Sequence, residues 1–236
     1  MTLTVGKLQR LGQPINVLLT QHPVNVFIET GTFHGESLAY ALTLPFSRWH
    51  SVELAPHLHR SAEQRFGRPQ VTLHCGDSAE VLPKLLTYLD EPALFWLDAH
   101  YCFFDTARGA EDCPLMDEVR AIADHERQRG TEHIVIIDDY HIFGTTSDGP
   151  WLVSEEVVFV PEADWSAITY ERIEEMFVDC TKNSRIWGDA LFLIPPCIDV
   201  ADVNPPPNPY ERASKITSGK LSPHQRAPAR RRDSVR

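Results

Sequence analysis

The chain has 236 residues, 42% hydrophobic and 23% charged, enough for one domain with a sizeable core, alone or with a tail. No uncharged apolar run approaches the roughly 20 residues needed to cross a bilayer, and residues 1–21 lack the apolar stretch of a signal peptide, so neither a membrane anchor nor secretion by that route is expected. The net charge of −11 is unevenly spread: from Asn204 onward eight Lys/Arg face two acids, and the strongly acidic remainder argues against a nucleic-acid groove on the domain.

In chain order, strand-like apolar runs alternate with helically spaced segments. A strand is expected at 24–29, a helix at 36–44, strands at 49–53 and 71–75 around a helix at 56–66, and a helix at 79–89. A strand at 93–98 then leads to a helix at 114–129 and a strand at 133–138, whose Ile134, Val135, Ile136 and Ile137 read as a buried parallel strand. A helix at 169–177 precedes a closing pair of strands at 183–187 and 189–194. The pattern implies an α/β fold, Rossmann-like and doubly wound, with a mostly parallel seven-stranded sheet and helices on both faces. After residue 194 the chain turns to Pro195-Pro196, then Pro205-Pro206-Pro207 with Pro209, and then to Ser, Lys and Arg. The expected division is a domain at 1–203 and a disordered, basic Pro/Arg-rich tail at 204–236. Five cysteines, odd in number and without a CxxC pair, suit a reducing, cytoplasmic setting better than a disulfide scaffold or a zinc knuckle.

Open α/β sheets bind ligands in the crevice at the carboxyl ends of their strands. Five successive strand runs end in, or just before, an acid: Glu29, Glu53, Asp77, Asp98 and Asp138. Capping of the following helices is the competing explanation for each one taken singly. After the first strand, Gly31 and Gly35 let the backbone turn sharply and approach a ligand before the next helix begins. The loop lacks the third glycine of GxGxxG and the lysine of a P-loop. Glu53, placed 24 positions beyond Glu29, suits ribose hydroxyls, and together with the loop it implies a nucleoside-containing cofactor.

Residues 27–140 resemble the class I S-adenosylmethionine-dependent methyltransferases, in particular the metal-dependent small-molecule branch typified by catechol O-methyltransferase. The resemblance is carried by Glu-Thr-Gly-Thr-Phe-His-Gly-Glu-Ser (29–37), Ser-Val-Glu-Leu (51–54), Cys-Gly-Asp-Ser (75–78), Phe-Trp-Leu-Asp-Ala-His-Tyr (95–101) and Ile-Ile-Asp-Asp-Tyr (136–140). It implies S-adenosylmethionine held by Glu29, Gly31, Gly35, Ser37, Glu53, Asp77, Ser78 and Asp98, and Mg²⁺ held by Asp98, Asp138 and Asp139. Two positions depart from that branch. Its catalytic lysine falls on Tyr101, and its Asp-Asn metal pair reads Asp-Asp, as in the Asp-Asp-Tyr of macrolide-sugar methyltransferases.

The metal reading also has a physical basis. Three carboxylates from adjacent strand ends repel one another unless a cation, a proton or a basic side chain intervenes, and Mg²⁺ prefers oxygen ligands. His100 and His141, each two positions after an acid of the trio, are the candidate general bases beside Asp98. Tyr101 is expected in the pocket wall and His34 at the surface, while Trp151, Trp165 and Trp187 are read as packing. The segment between Cys102 and Cys113 is long enough for a lid, with free thiols expected in preference to a disulfide. The expected reaction is Mg²⁺-assisted methylation of an oxygen on a small hydroxylated metabolite, with no nucleic-acid or membrane partner. Two other classes share the layout: a metal-dependent nucleotide-sugar glycosyltransferase, and a methyltransferase-like binding module without activity.

Overall fold

Two short helices, α1 (Lys7–Arg10) and α2 (Gly12–Gln21), open a computed structural model that describes residues 6–101, 106–145, 150–153, 156–159, 164–180 and 182–210. Their Leu8, Leu11, Ile15, Leu18 and Leu19 recur at spacings of three and four, forming a single buried stripe. Neither helix is among the elements expected from the sequence.

The alternating core follows as β1 (Val26–Thr30), α3 (Glu36–Ala41), β2 (Arg48–Glu53), α4 (Pro56–Phe66), β3 (Val71–Cys75), α5 (Ser78–Leu86), β4 (Ala93–Leu97), α6 (Leu115–Arg129) and β5 (Ile134–Ile137). A hairpin outside the main sheet, β6 (Pro150–Val153) with β7 (Glu156–Phe159), was not expected either. Helix α7 (Tyr170–Met176) leads to β8 (Asn183–Trp187) and β9 (Ala190–Ile194).

The seven-stranded sheet has the order β3-β2-β1-β4-β5-β9-β8. Strands β1 to β5 are parallel, and the last two join as an antiparallel edge, β9 against β5 and β8 against β9. The Rossmann-like, doubly wound class expected from the alternation is therefore the observed one. Helices α1 to α4 cover one face, where Leu8, Ile15, Leu38 and Phe66 meet Phe27, Leu94, Trp96 and Ile136. On the other face Leu82, Val119, Ile122 and Ile173 meet Val26, Ile28, Phe95 and Val135. Because both faces are covered, all five residues of β1 are buried, Glu29 and Thr30 included.

The chain winds outward from β1 through β2 to β3 and then returns to β4 on the opposite side of β1, so the order of strand addition reverses between β1 and β4. A crevice opens at the carboxyl ends there. Among the described residues no helix is long and apolar enough to cross a membrane.

Residues 204–210, which composition assigns to the tail, instead stay on the domain. Asn204 N–H donates to Gln13 Oε1 at 2.9 Å, and Gln21 exchanges two bonds with the Asp199 backbone, at 2.6 and 2.8 Å. Proline has little conformational freedom to lose, so this run docks with few apolar side chains.

Candidate functional site

The cleft at the switch point has a volume of about 840 Å³, within the usual range for small-molecule sites. Its floor begins where β1 turns. The N–H groups of Gly31 and Thr32 both donate to the Val52 carbonyl, at 2.9 and 3.1 Å, which bends the chain across the end of β2. Gly31 has φ +81°, and a Cβ there would lie 2.3 Å from the Asp98 carbonyl oxygen, so only glycine lets the ends of β1 and β4 approach this closely. Gly35 serves packing instead: a Cβ on it would meet the Phe66 ring at 2.4 Å, and it is not on the cleft wall.

Glu53 organises this half. Its Oε2 accepts from Phe33 N–H at 2.7 Å and its Oε1 from Ala55 N–H at 2.8 Å, holding Phe33 in a left-handed conformation at φ 48°. The carboxylate also lines the cleft, with lone pairs left for a ligand. Asp77 caps α5, accepting from Ala79 N–H at 3.0 Å, and faces the cleft beside Ser78. Ser37 completes this wall. Glu29 lies behind the wall, fully buried, with Oε1 accepting from Ser51 Oγ at 2.6 Å and Oε2 without a protein partner. Burial pushes its carboxyl up to about 8, so it is uncharged at neutral pH.

The other half contains a residue that the sequence reading missed. Helix α1 delivers the Lys7 ammonium to the acidic strand ends, 2.8 Å from Asp138 Oδ2, 2.8 and 2.9 Å from the two Asp139 oxygens, and 3.9 Å from Asp98 Oδ1. Burial would lower the lysine, but Asp138, Asp139 and Asp98 together hold it well above its ordinary value. Burial likewise acts to raise Asp139, yet Lys7, His100 and His141 hold it down at about 2. Asp98 is pushed up to about 7 and Asp138 well up, burial being the main cause in each. One ammonium thus faces three acids, and burial acts against the charge of each.

His100 lines the cleft, with Nδ1 3.5 Å from Asp98 and Nε2 3.3 Å from Asp139, its ring edge-on to the buried Trp165 at 5.2 Å. Burial lowers it to about 4, so the imidazole is neutral. His141 lies off the cleft wall, its Nδ1 bonded to Asp189 Oδ2 at 2.7 Å and its ring stacked on Tyr210 at 3.5 Å. Asp189 and Tyr210 both face the cleft and neither was anticipated.

Of the donors expected to hold Mg²⁺, Asp98 and Asp139 come near enough to share an ion, and Asp138 does not join them. Among the described residues, the groups whose ligand atoms are near enough to share an ion are Asp98 with His100 and Asp139, and Asp139 with His141 and Asp189. Each contains an imidazole, whereas Mg²⁺ takes oxygens at about 2.0–2.1 Å in octahedral array. Asp98, Asp138 and Asp139 are disposed at hydrogen-bonding and ion-pair distances around the Lys7 amine.

Over the cleft mouth, Arg108 binds both Asp112 oxygens at 2.6 and 3.0 Å and lies 5.2 Å over the Tyr101 ring, which places Tyr101 in the wall as expected. Cys102 lies outside the described residues, and Cys113 is a free thiol. Trp187 packs in the core as expected, and His34 is exposed; the Trp151 side chain is outside those described.

No protein-family model and no curated protein matches the sequence. Solved structures do. The sugar N-methyltransferase KedS8 from a Streptoalloteichus species aligns at 14% identity and TM-score 0.51, over 80% of this chain and 87% of its own. A spermidine synthase in complex with the transition-state analogue AdoDATO aligns at 14% identity and TM-score 0.51, over 91% of this chain and 73% of its own. The amino pentose methyltransferase CalS10 from Micromonospora echinaspora, bound to S-adenosylmethionine, aligns at 16% identity and TM-score 0.48, over 78% of this chain and 89% of its own. The chain has the class I methyltransferase fold.

Proposed function

We propose that the protein transfers a methyl group from S-adenosylmethionine to a hydroxyl oxygen of a small polar acceptor. The observation that carries this reading is one cleft with two halves: the Gly31 turn with Glu53 and Asp77 on one side, and Lys7, Asp98, Asp138 and His100 on the other. When bound, S-adenosylmethionine supplies an electrophilic methyl on a cationic sulfur and departs as neutral S-adenosylhomocysteine.

The chain's own residues account for the rest. Glu53 accepts from ribose hydroxyls with the lone pairs that its two backbone bonds leave free. Gly31, lacking a Cβ, leaves the loop backbone open to the amino-acid end, and the acidic wall favours a cationic ligand. In the other half, the 3.9 Å between Lys7 Nζ and Asp98 Oδ1 exceeds a hydrogen bond and leaves room for a hydroxyl oxygen to bridge them. As the carbon–sulfur bond breaks and the carbon–oxygen bond forms, His100 takes the hydroxyl proton on a ring nitrogen. Asp98 and Asp139 stand beside the imidazolium that results. His141 is placed as the support of Tyr210 and not as the base. The sugar N-methyltransferase among the structural neighbours offers a precedent for an acceptor of sugar size. Mg²⁺ receives no step here, since the acids around Lys7 fit an ammonium.

Isothermal titration with S-adenosylhomocysteine, run beside a nucleotide sugar, tests the reading. Binding of the first at one site per chain is expected. Binding of the nucleotide sugar alone favours a glycosyltransferase, and no binding of either removes the proposal.

A further inference from the structure

We propose that Lys7 is the resident cation of the acidic site and keeps a divalent metal out of it, so that methyl transfer here proceeds without one. This rests on the methyltransferase reading and deepens its acceptor half. The expectation of Mg²⁺ came from three carboxylates that need positive charge. The structure supplies that charge from the chain itself, with three of the four nearest carboxylate oxygens at 2.8–2.9 Å from Nζ, the length of a charge-assisted hydrogen bond.

The Lys7 side chain is about half exposed, and the helix that carries it is anchored by its neighbours. The residue after it, Leu8, is fully buried, and Leu11 at the end of the same turn is 4% exposed. Two glycines flank the helix at close approaches to α3: a Cβ on Gly6 would stand 3.1 Å from Glu36 Cβ, and one on Gly12 would overlap the Tyr40 hydroxyl at 2.5 Å. Helix α1 is therefore packed closely against α3, which carries Lys7 to the acidic strand ends. A divalent ion bound by Asp138 and Asp139 would share the same oxygens at about 2 Å and stand within a few ångströms of the ammonium. Two cations that close repel by several times the thermal energy at the effective dielectric of a protein. Occupation by Lys7 and by a metal are thus alternatives, and the buried stripe of α1 selects the lysine. The arrangement also accounts for the absence of a lysine at Tyr101: the amine arrives from the other end of the sequence, 132 residues before Asp139.

The test uses Mn²⁺, whose free electron-spin-resonance signal reports binding, titrated into the full-length protein and into Lys7→Gln and Lys7→Met. The wild type should leave the signal unchanged at sub-millimolar Mn²⁺. Each variant should gain one site, tighter by on the order of 10³-fold or more, the effect of removing a unit charge about 4 Å from a divalent ion. Adding Asp139→Asn to Lys7→Gln should abolish the gained site. Tight Mn²⁺ binding by the wild type that Asp139→Asn removes overturns the proposal, and so do folded Lys7 variants that gain no site. Should both variants misfold, the wild-type titration decides alone, with binding against the proposal and no binding for it. Binding of S-adenosylhomocysteine to the same samples separates the two conclusions: its failure in the wild type ends the methyltransferase reading whatever Mn²⁺ does.

Discussion

Glu53 holds a loop and faces the cleft with the same two oxygens, so its substitution is expected to have two effects that must be separated. Glu53→Gln keeps one acceptor and removes the charge. It should weaken S-adenosylhomocysteine by about 1.5–3 kcal/mol, the range for a hydrogen bond to a charged group. It should also loosen the loop at Phe33, which circular dichroism and melting temperature would register. Unchanged affinity in calorimetry would take Glu53 out of the cofactor site. Glu29 gives a prediction of opposite kind. Its value of about 8 in the folded protein stands above its ordinary 4.5. The unfolded chain therefore releases this proton first as pH rises, so the stability that neutral Glu29 contributes is full below about pH 4.5 and is lost as pH rises through 8. Glu29→Gln imitates the neutral acid and should be more stable than wild type near pH 8. The advantage should grow by at most about 1.4 kcal/mol per pH unit from about pH 5 and vanish below 4.5. Denaturant melts at pH 4 and pH 8 check it, and an equal difference at both would show that Glu29 is not buried neutral. Glu53, Asp77, Asp98 and Asp138 were legible as cleft-lining residues because a strand end fixes where its next side chain goes. Glu29 was legible as to position only. It belongs to a strand covered on both faces, and burial of that kind depends on helices far along the chain.

At the scale of elements, the glycines discriminate between packing and turning. Gly31→Ala puts a Cβ 2.3 Å from a backbone oxygen in a left-handed conformation, and the clash can be relieved only by parting β1 from β4. The expected result is a marked fall in melting temperature together with loss of S-adenosylhomocysteine binding. Gly130, at the C-terminus of α6, is also left-handed, at φ 64°, but has nothing within 4 Å of its Cβ position. Gly130→Ala should therefore cost only the conformational term, about 1–2 kcal/mol, with ligand affinity intact. Equal effects of the two substitutions would show that the Gly31 approach is not needed. The central strands and α4 were readable almost to the residue, since apolar runs and Pro56 at the first turn mark them locally. Helices α1 and α2 carry the same three-and-four spacing of apolar residues, but neither has a side-chain cap or an acidic first turn to mark its start in the sequence. No comparable pattern announces what Lys7 does, since its partners lie beyond residue 97.

On the scale of the whole molecule, the C-terminal segment is the part where composition misled. Prolines and few apolar residues predict a free tail from Asn204, yet Pro206, Pro207, Pro209 and Tyr210 reach the cleft. Truncation after Tyr210 should leave melting temperature and S-adenosylhomocysteine affinity as they are. Truncation after Val203 removes the Tyr210 ring from His141, a contact of about 0.5–1.5 kcal/mol, and should lower the melting temperature by a few degrees. If the shorter chain melts with the longer, the segment contributes nothing to the fold.

Walls contributed by residues 6–11 and 206–210 meet over a floor made by the sheet between them. Closing that ring joins parts of the chain separated by nearly its full described length, and such long-range closure comes late in folding because its entropy must be met before its contacts form. Competence to bind should lag behind structure. In a refolding time course, the far-ultraviolet signal of the helices should recover first and S-adenosylhomocysteine capture last.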